Sequence, residues 1–159
     1  MTVAEMNLSR RGMIFKIVRL VTRKLITGKY RVGNVSEITA EELRERLSSD
    51  QPPLMIDTRP TEDFNSGFGH IPNSKLIPLM EMVMSFPSAD LFKEKIKTFE
   101  VQFAEVEDFK DKEVVTICPG GGFSLVAAEI MAEAGFKDVK SLDGGADGWF
   151  KKGYPTTLA

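Results

Sequence analysis

The sequence predicts an α/β protein built on a mainly parallel sheet. From Asn34 onward, strand and helix patterns alternate along the chain, which is the order expected when helices connect parallel strands. A short apolar run ends at the only cysteine, Cys118, and a helical pattern begins at Ser124. Charge also separates the chain into two parts. We therefore expect a basic helical extension at residues 1–35 and one α/β domain at residues 36–159.

The extension contains a predicted amphipathic helix. Residues 1–35 hold eight Lys or Arg and one Glu, a balance of +7, whereas residues 36–159 hold thirteen basic and twenty-two acidic residues, a balance of −9. Between Met13 and Ile26, apolar residues recur at helical spacing and basic residues lie opposite them. The apolar stripe comprises Ile14, Ile17, Val18, Val21 and Leu25, and the opposite face carries Lys16, Arg19 and Arg23.

This helix has three interpretations. It packs on its own domain or on a second subunit, it lies on an anionic membrane surface, or it docks a partner. We therefore expect membrane-surface contact or self-association through residues 10–26. The apolar stretch is too short and too charged to cross a membrane, and its charges interrupt the apolar region that an export signal needs. The expected location is cytoplasmic, with peripheral contact at the inner membrane surface.

The α/β domain begins with a capped helix. Thr39 is followed three residues later by Glu42, which is the pattern of a capping box. Leu43 and Leu47 supply the apolar face of this helix. A short apolar run at residues 54–56 then predicts a buried strand.

Three polar residues, Asp57-Thr58-Arg59, end that strand. The region rich in Met and Phe at residues 78–109 predicts two helices separated near Pro87, and such enrichment is more typical of a core than of a cofactor site. Two further strands are predicted at Val114–Ile117 and Val139–Leu142, with a helix between them at Ser124–Ala134 that Gly135 ends.

The strand-to-helix turn at Cys118 is the candidate active site. The residues after it, Pro119-Gly120-Gly121-Gly122-Phe123-Ser124, allow the backbone to curl around the sulfur, so that successive N–H groups and the positive helix end face it. Such surroundings favour the thiolate. The alternative is an inert core cysteine. With one cysteine and one histidine, neither an internal disulfide nor a Cys/His zinc cluster is expected, and we predict no metal and no cofactor.

Several short motifs follow one another in the α/β domain. They are Ile38-Thr39-Ala40-Glu41-Glu42-Leu43, Ile56-Asp57-Thr58-Arg59, Gly69-His70-Ile71-Pro72-Asn73-Ser74, the Cys118 loop, Gly135-Phe136, and Leu142-Asp143-Gly144-Gly145 before Trp149. Their order and spacing resemble the rhodanese-like domains of the sulfurtransferase superfamily, over residues 38–155. The resemblance implies a doubly wound, mainly parallel sheet with helices on both faces and a ligand site at the carboxyl ends of its strands. Compared with that family, the run from Asp63 to His70 is two residues longer.

The resemblance implies that Cys118 carries sulfur. In the implied ping-pong reaction, its thiolate takes sulfane sulfur from thiosulfate or from a small-molecule or protein persulfide and passes it to a thiol or other nucleophile. The implied substrate-binding residues are Pro119, Gly120, Gly121, Gly122, Phe123, Ser124 and Arg59. Arg59 is more simply expected to pair with Asp63 or Glu62, and His70 is expected to brace a loop. No nucleic-acid partner is predicted.

Two other functions compete with this one. A related phosphatase would carry Arg where the Cys118-x5-Ser124 spacing ends in Ser, so the group that clamps a phosphoryl anion is missing. The second alternative is a non-catalytic or sulfur-carrier rhodanese-like binding module, targeted by its basic amino-terminal helix. The intact Cys118 favours catalysis, whereas the uncharged loop and the added helix favour the carrier.

Overall fold

The computed structural model describes residues 31–32, 34–84 and 104–159. Within these residues, six strands form one sheet in the order β1-β2-β6-β5-β3-β4. The strands are β1 (Arg31–Val32), β2 (Val35–Ile38), β3 (Leu54–Asp57), β4 (Lys75–Leu76), β5 (Glu113–Ile117) and β6 (Asp138–Leu142). Strand β1 is antiparallel to β2, and every other neighbouring pair is parallel. The predicted mainly parallel sheet is therefore confirmed.

Helices cover both faces of this sheet. They are α1 (Ala40–Leu47), α2 (Thr61–Asn65), α3 (Leu79–Met84), α4 (Phe123–Glu133) and α5 (Gly145–Lys151), with a 3-10 turn at Glu107–Phe109. Side chains alternate across a strand, so β3 sends Ile56 into one core cluster and Met55 into the other. The first cluster contains the inner face of α4, and the second contains Leu43 of α1 and Trp149 of α5.

The predicted capping box of α1 is confirmed. The Thr39 hydroxyl accepts the N–H of Glu42 at 3.1 Å, and the Thr39 N–H donates to the Glu42 carboxylate at 3.1 Å. Leu43 is fully buried, whereas Leu47 is partly buried beside the same cluster. The cap satisfies amide groups that the first turn of the helix leaves without partners, and this fixes where α1 begins after β2.

Three strands were not predicted from the sequence. Strands β1 and β4 have two residues each, which is too short for a periodic signal, and β2 reads Val-Ser-Glu-Ile, which has no apolar run. In the part of the chain that the structure describes, the sheet begins at Arg31, ahead of the expected domain boundary at residue 36. The predicted helix at Met13–Ile26 and most of the second helix of region 78–109 lie outside the described residues. No helix in the described ranges is both long enough and apolar enough to span a membrane.

Candidate active site

Cys118 follows the last residue of β5, near the centre of the sheet. Strand β3 lies on one side of β5, and its Asp57 is paired in register with Ile117. The N–H and the hydroxyl of Thr58 both donate to the Ile117 carbonyl, at 2.7 and 2.8 Å. Strand β6 lies on the other side and leads into Asp143. The carboxyl ends of three parallel strands therefore meet around the cysteine, as the fold class predicts.

The Cys118 sulfur is buried and has two hydrogen-bond partners in the part of the chain that the structure describes. Its side chain is 1% exposed. The Gly121 N–H donates to Sγ at 2.9 Å, and the Ser124 hydroxyl lies 3.2 Å from Sγ. The sequence predicted several amides around the sulfur, whereas one amide and one hydroxyl contact it. Both groups can donate to an anionic sulfur, and neither carries a charge.

Ser141 is a buried polar residue that sequence reasoning missed. Its Oγ lies 2.6 Å from the Ser124 Oγ, so two hydroxyls form a chain that ends at the Cys118 sulfur. The register of β5 and β6 places Ser141 beside Thr116, and the Thr116 hydroxyl donates to the Ser124 carbonyl at 2.6 Å. The available signal was a small hydroxyl residue in a predicted strand of a parallel sheet, where a buried polar group requires a partner.

Helix α5 packs its first turn directly against the cysteine loop. The amides of Ala146 and Asp147 donate to the carbonyls of Cys118 and Pro119, at 2.8 and 3.0 Å. Gly145 has φ +60°, and a Cβ at this position would lie 2.2 Å from the Cys118 carbonyl oxygen. This contact explains why glycine is needed at residue 145.

Arg59 forms an ion pair with Asp57, so the expected pairing with Asp63 or Glu62 is wrong. The Nη2 atom of Arg59 lies 2.8 Å from Oδ2 of Asp57, and its Nε lies 3.0 Å from Oδ1. The same Nη2 donates to the Gly69 carbonyl at 2.7 Å. Residues two apart along an extended chain project to the same side, which brings the two side chains together. Both are buried, and the pair holds the loop before His70 to the end of β3.

His70 braces a loop, as expected. Its Nδ1 lies 2.9 Å from the Phe64 carbonyl oxygen, and its Nε2 lies 3.1 Å from the backbone oxygen of Ala159. The imidazole also stacks on the Phe64 ring, with 3.6 Å between centroids. A buried histidine with both ring nitrogens engaged by backbone is placed for structure rather than for proton transfer to a substrate.

A cavity of about 500 Å³ opens beside the cysteine loop. It is lined by Arg59, Asp63, Ser66, Gly67, Phe68, Pro119, Asp147, Phe150 and Lys151. Of the predicted substrate-binding residues, Arg59 and Pro119 line this cavity, and Gly121 and Ser124 contact the sulfur. In the described ranges, the other three predicted residues neither line the cavity nor contact the sulfur; they are Gly120, Gly122 and Phe123. No three potential metal ligands come together within these ranges.

The chain is similar to proteins of one family in both sequence and fold. The model of the rhodanese-like domain family matches residues 39–152. A sulfurtransferase of Allochromatium vinosum is 26% identical over 121 residues, covering 76% of this chain and 94% of that protein. The adenylyltransferase and sulfurtransferase MOCS3 of Oryza sativa subsp. japonica is 27% identical over 127 residues, or 77% of this chain, but this chain spans only 26% of its length. The crystal structure of a rhodanese-related protein from Thermoplasma volcanium superposes with a TM-score of 0.56 at 25% identity, covering 77% of this chain and 98% of that one.

Proposed function

Because the chain belongs to the rhodanese-like domain family, we propose that it is a sulfurtransferase that carries sulfane sulfur as a persulfide on Cys118. The observation that supports this most directly is the setting of the sulfur at the end of β5. It has neutral hydrogen-bond donors on one side, and the loop that carries it borders a cavity of substrate size. The relatives named sulfurtransferase support the same class of reaction.

The first half of the reaction loads Cys118. Its thiolate attacks the sulfane sulfur of the donor, a new S–S bond forms, and the bond between that sulfur and the donor breaks. The donor leaves as sulfite if it was thiosulfate, or as a thiolate if it was a persulfide. The Gly121 N–H and the Ser124 hydroxyl can donate to the negative charge on Cys118 Sγ before attack, and that charge passes to the leaving group as the new S–S bond forms.

The second half returns the enzyme to its starting state. A nucleophilic acceptor attacks the outer sulfur of the Cys118 persulfide, and the electron pair of the S–S bond returns to Cys118 Sγ. With a thiolate acceptor the product is a new persulfide, and with cyanide it is thiocyanate. Sulfur passes from donor to acceptor with no external oxidant or reductant, so one cysteine is sufficient for the cycle.

Substitution of the nucleophile tests this function. We expect Cys118→Ser to abolish sulfur transfer to cyanide, because the alcohol is a poor nucleophile at neutral pH. Intact-mass measurement after incubation with thiosulfate, cysteine persulfide, or a desulfurase with cysteine should show one added sulfur atom on the wild-type chain and none on the variant. A folded Cys118→Ser variant that retains the wild-type transfer rate would refute the proposed mechanism.

A further inference from the structure

The cavity beside the cysteine loop has an aromatic wall made by two elements. Phe68 comes from the long loop after α2, and Phe150 comes from α5. Their rings stack with 5.2 Å between centroids, and Phe68 nevertheless remains 69% exposed. An exposed aromatic side chain at the rim of a cavity offers apolar contact area to a ligand.

The loop that presents Phe68 is held in place through the backbone of Gly69. The Gly69 N–H donates to the Ser66 carbonyl at 2.8 Å, and the Gly69 carbonyl accepts from Arg59. A Cβ on Gly69 would lie 2.1 Å from the Thr157 carbonyl oxygen, so the backbone is packed tightly against the carboxyl-terminal segment. The aromatic wall is therefore held in place before a ligand arrives, which reduces the entropy lost on binding.

The charges on this cavity do not suit a small dianion. Arg59 is committed to Asp57, which leaves Lys151 against two carboxylates, those of Asp63 and Asp147. Within residues 31–32, 34–84 and 104–159, none of these three side chains forms an ion pair with another residue. With the charge of Arg59 balanced by Asp57, the other lining residues carry one net negative charge, and residues 119–124 carry no cation to offset it.

We propose that the sulfur donor is a low-molecular-weight organic persulfide that carries an ammonium group, such as the persulfide of an amino acid or a short peptide. This inference rests on the proposed function. The carbon skeleton packs against Phe68 and Phe150, the ammonium group faces Asp63 and Asp147, and any carboxylate faces Lys151. A cavity of about 500 Å³ is within the usual size range of small-molecule sites.

The chemical step balances without any added reagent. The Cys118 thiolate attacks the terminal sulfur of R–S–SH and forms the Cys118 S–S bond, and the original S–S bond breaks. The leaving R–S⁻ takes up the proton that the terminal sulfur carried, so the products are the Cys118 persulfide anion and the thiol R–SH.

A series of donors that differ in charge tests the inference on the full chain. The probes are the persulfides of cysteine, cysteamine and 3-mercaptopropionate, together with thiosulfate. The measured quantity is the second-order rate of single-sulfur loading, followed by intact mass. We expect cysteamine persulfide to load roughly two- to fivefold faster than 3-mercaptopropionate persulfide, the range of one exposed ion pair. Cysteine persulfide should load at least as fast as either, and thiosulfate should load most slowly.

Variants of the lining must change this preference. We expect Asp63→Asn with Asp147→Asn to remove the advantage of cysteamine persulfide, whereas the exposed neighbour control Glu62→Gln keeps it. Phe68→Ala should slow all organic persulfides roughly three- to tenfold, the range of one aromatic contact, and leave thiosulfate unchanged. The control Leu158→Ala, an exposed apolar side chain outside the cavity lining, should have no effect.

The outcomes distinguish failure of the proposed function from failure of the inference about the donor. If no donor adds sulfur to Cys118, the proposed function fails. If sulfur is loaded but donor charge and the Asp variants make no difference, the function stands and the inference is overturned. If a persulfidated desulfurase loads Cys118 and every small persulfide is inactive, the donor is a protein and the inference is also overturned.

Discussion

At the scale of single residues, the Cys118 sulfur is held by neutral groups. Gly121 contributes an amide at 2.9 Å and Ser124 a hydroxyl at 3.2 Å. The Ser124 hydroxyl can donate to an anionic sulfur while it accepts from Ser141, which lies 2.6 Å away. Each hydroxyl can rotate without movement of the oxygen atoms, so the chain can follow a change of charge on the sulfur at small structural cost.

The two serines should differ in their effects on sulfur transfer. Ser124→Ala removes a hydrogen bond to a charged atom, which contributes about 1.5–3 kcal/mol, so we expect loading to slow roughly tenfold or more. Ser141→Ala leaves the Ser124 hydroxyl free to donate to the sulfur, so we expect at most about a threefold loss. Persulfide loading rates measure activity, and urea unfolding measures stability. Equal rate losses in the two variants would show that the effect is structural rather than exerted on the sulfur.

At the scale of elements, the junction of α5 with the cysteine loop determines the shape of the site. Two amides of α5 bind the carbonyls of Cys118 and Pro119, and Gly145 fits beneath them with a left-handed backbone. The same helix sends Trp149 into the core, where its indole N–H donates to the Pro155 carbonyl at 2.9 Å. One short helix therefore couples the active loop to the core.

Two glycines of α5 provide a matched test of this junction. Gly145→Ala places a Cβ against the Cys118 carbonyl in a left-handed conformation, so we expect the free energy of unfolding to fall by at least about 2 kcal/mol. Gly148→Ala meets no atom within 4 Å and replaces a helical glycine, so we expect a gain of about 0.5–1 kcal/mol. Urea denaturation measures both. A neutral Gly145→Ala would contradict the close contact.

A charged cluster joins β5 to β6 and to α1. Lys140 Nζ lies 2.7 Å from carboxylate oxygens of both Glu113 and Asp138, and Arg46 Nε lies 3.1 Å from the other Glu113 oxygen. Partial burial lowers the pKa of Lys140. Its hydrogen bonds to Asp138 and Glu113, together with their negative charges, raise the pKa by more than burial lowers it, so the pKa of Lys140 is raised overall. The folded state therefore binds this proton more tightly than the unfolded state does.

The raised pKa predicts a pH-dependent contribution to stability. The contribution is fully present below the ordinary lysine value of 10.5 and is lost as pH rises through the higher folded value. We expect Lys140→Gln to lower the free energy of unfolding by about 1–2 kcal/mol at neutral pH, and this difference to shrink at high pH. The control Lys137→Gln, whose side chain is 73% exposed, should show no measurable change. A Lys140 difference that grows with pH would contradict this assignment.

At the scale of the whole molecule, the Cys118 sulfur, its hydrogen-bond partners and the cavity lining all belong to residues 59–151. They lie at the carboxyl ends of the parallel strands and in the loops and helices that follow those strands. Strand β1 begins at Arg31, so a shortened chain that starts there keeps the β1–β2 pair.

We therefore expect a chain of residues 31–159 to retain sulfur transfer. It should lose self-association or binding to anionic vesicles, because the apolar stripe from Ile14 to Leu25 needs a partner surface. Sedimentation velocity tests the first interaction, and co-pelleting with vesicles at low and high salt tests the second. Only binding driven by the basic face should weaken steeply with salt. If residues 31–159 fail to fold, the extension is part of the domain core and both interaction hypotheses fail.

The sequence by itself determined the features that depend on neighbouring residues. The capping box at Thr39, the buried strand before Asp57, and the turn that places Cys118 between β5 and α4 all agree with the structure. Caps, apolar periodicity and glycine-rich turns act over a few residues, so their signals are readable without the fold. Those local signals, taken in order, were sufficient for the α/β class and the family.

Only the tertiary structure decided which side chains meet. Ser141 contacts Ser124 across 17 residues of chain, and this pairing depends on the register of β5 with β6. Arg59 pairs with Asp57 rather than with a residue of α2, and Phe68 reaches Phe150 because the intervening loop is braced against the carboxyl-terminal segment. Strand register and loop packing arise from contacts between segments that are distant in sequence, and no local pattern encodes them.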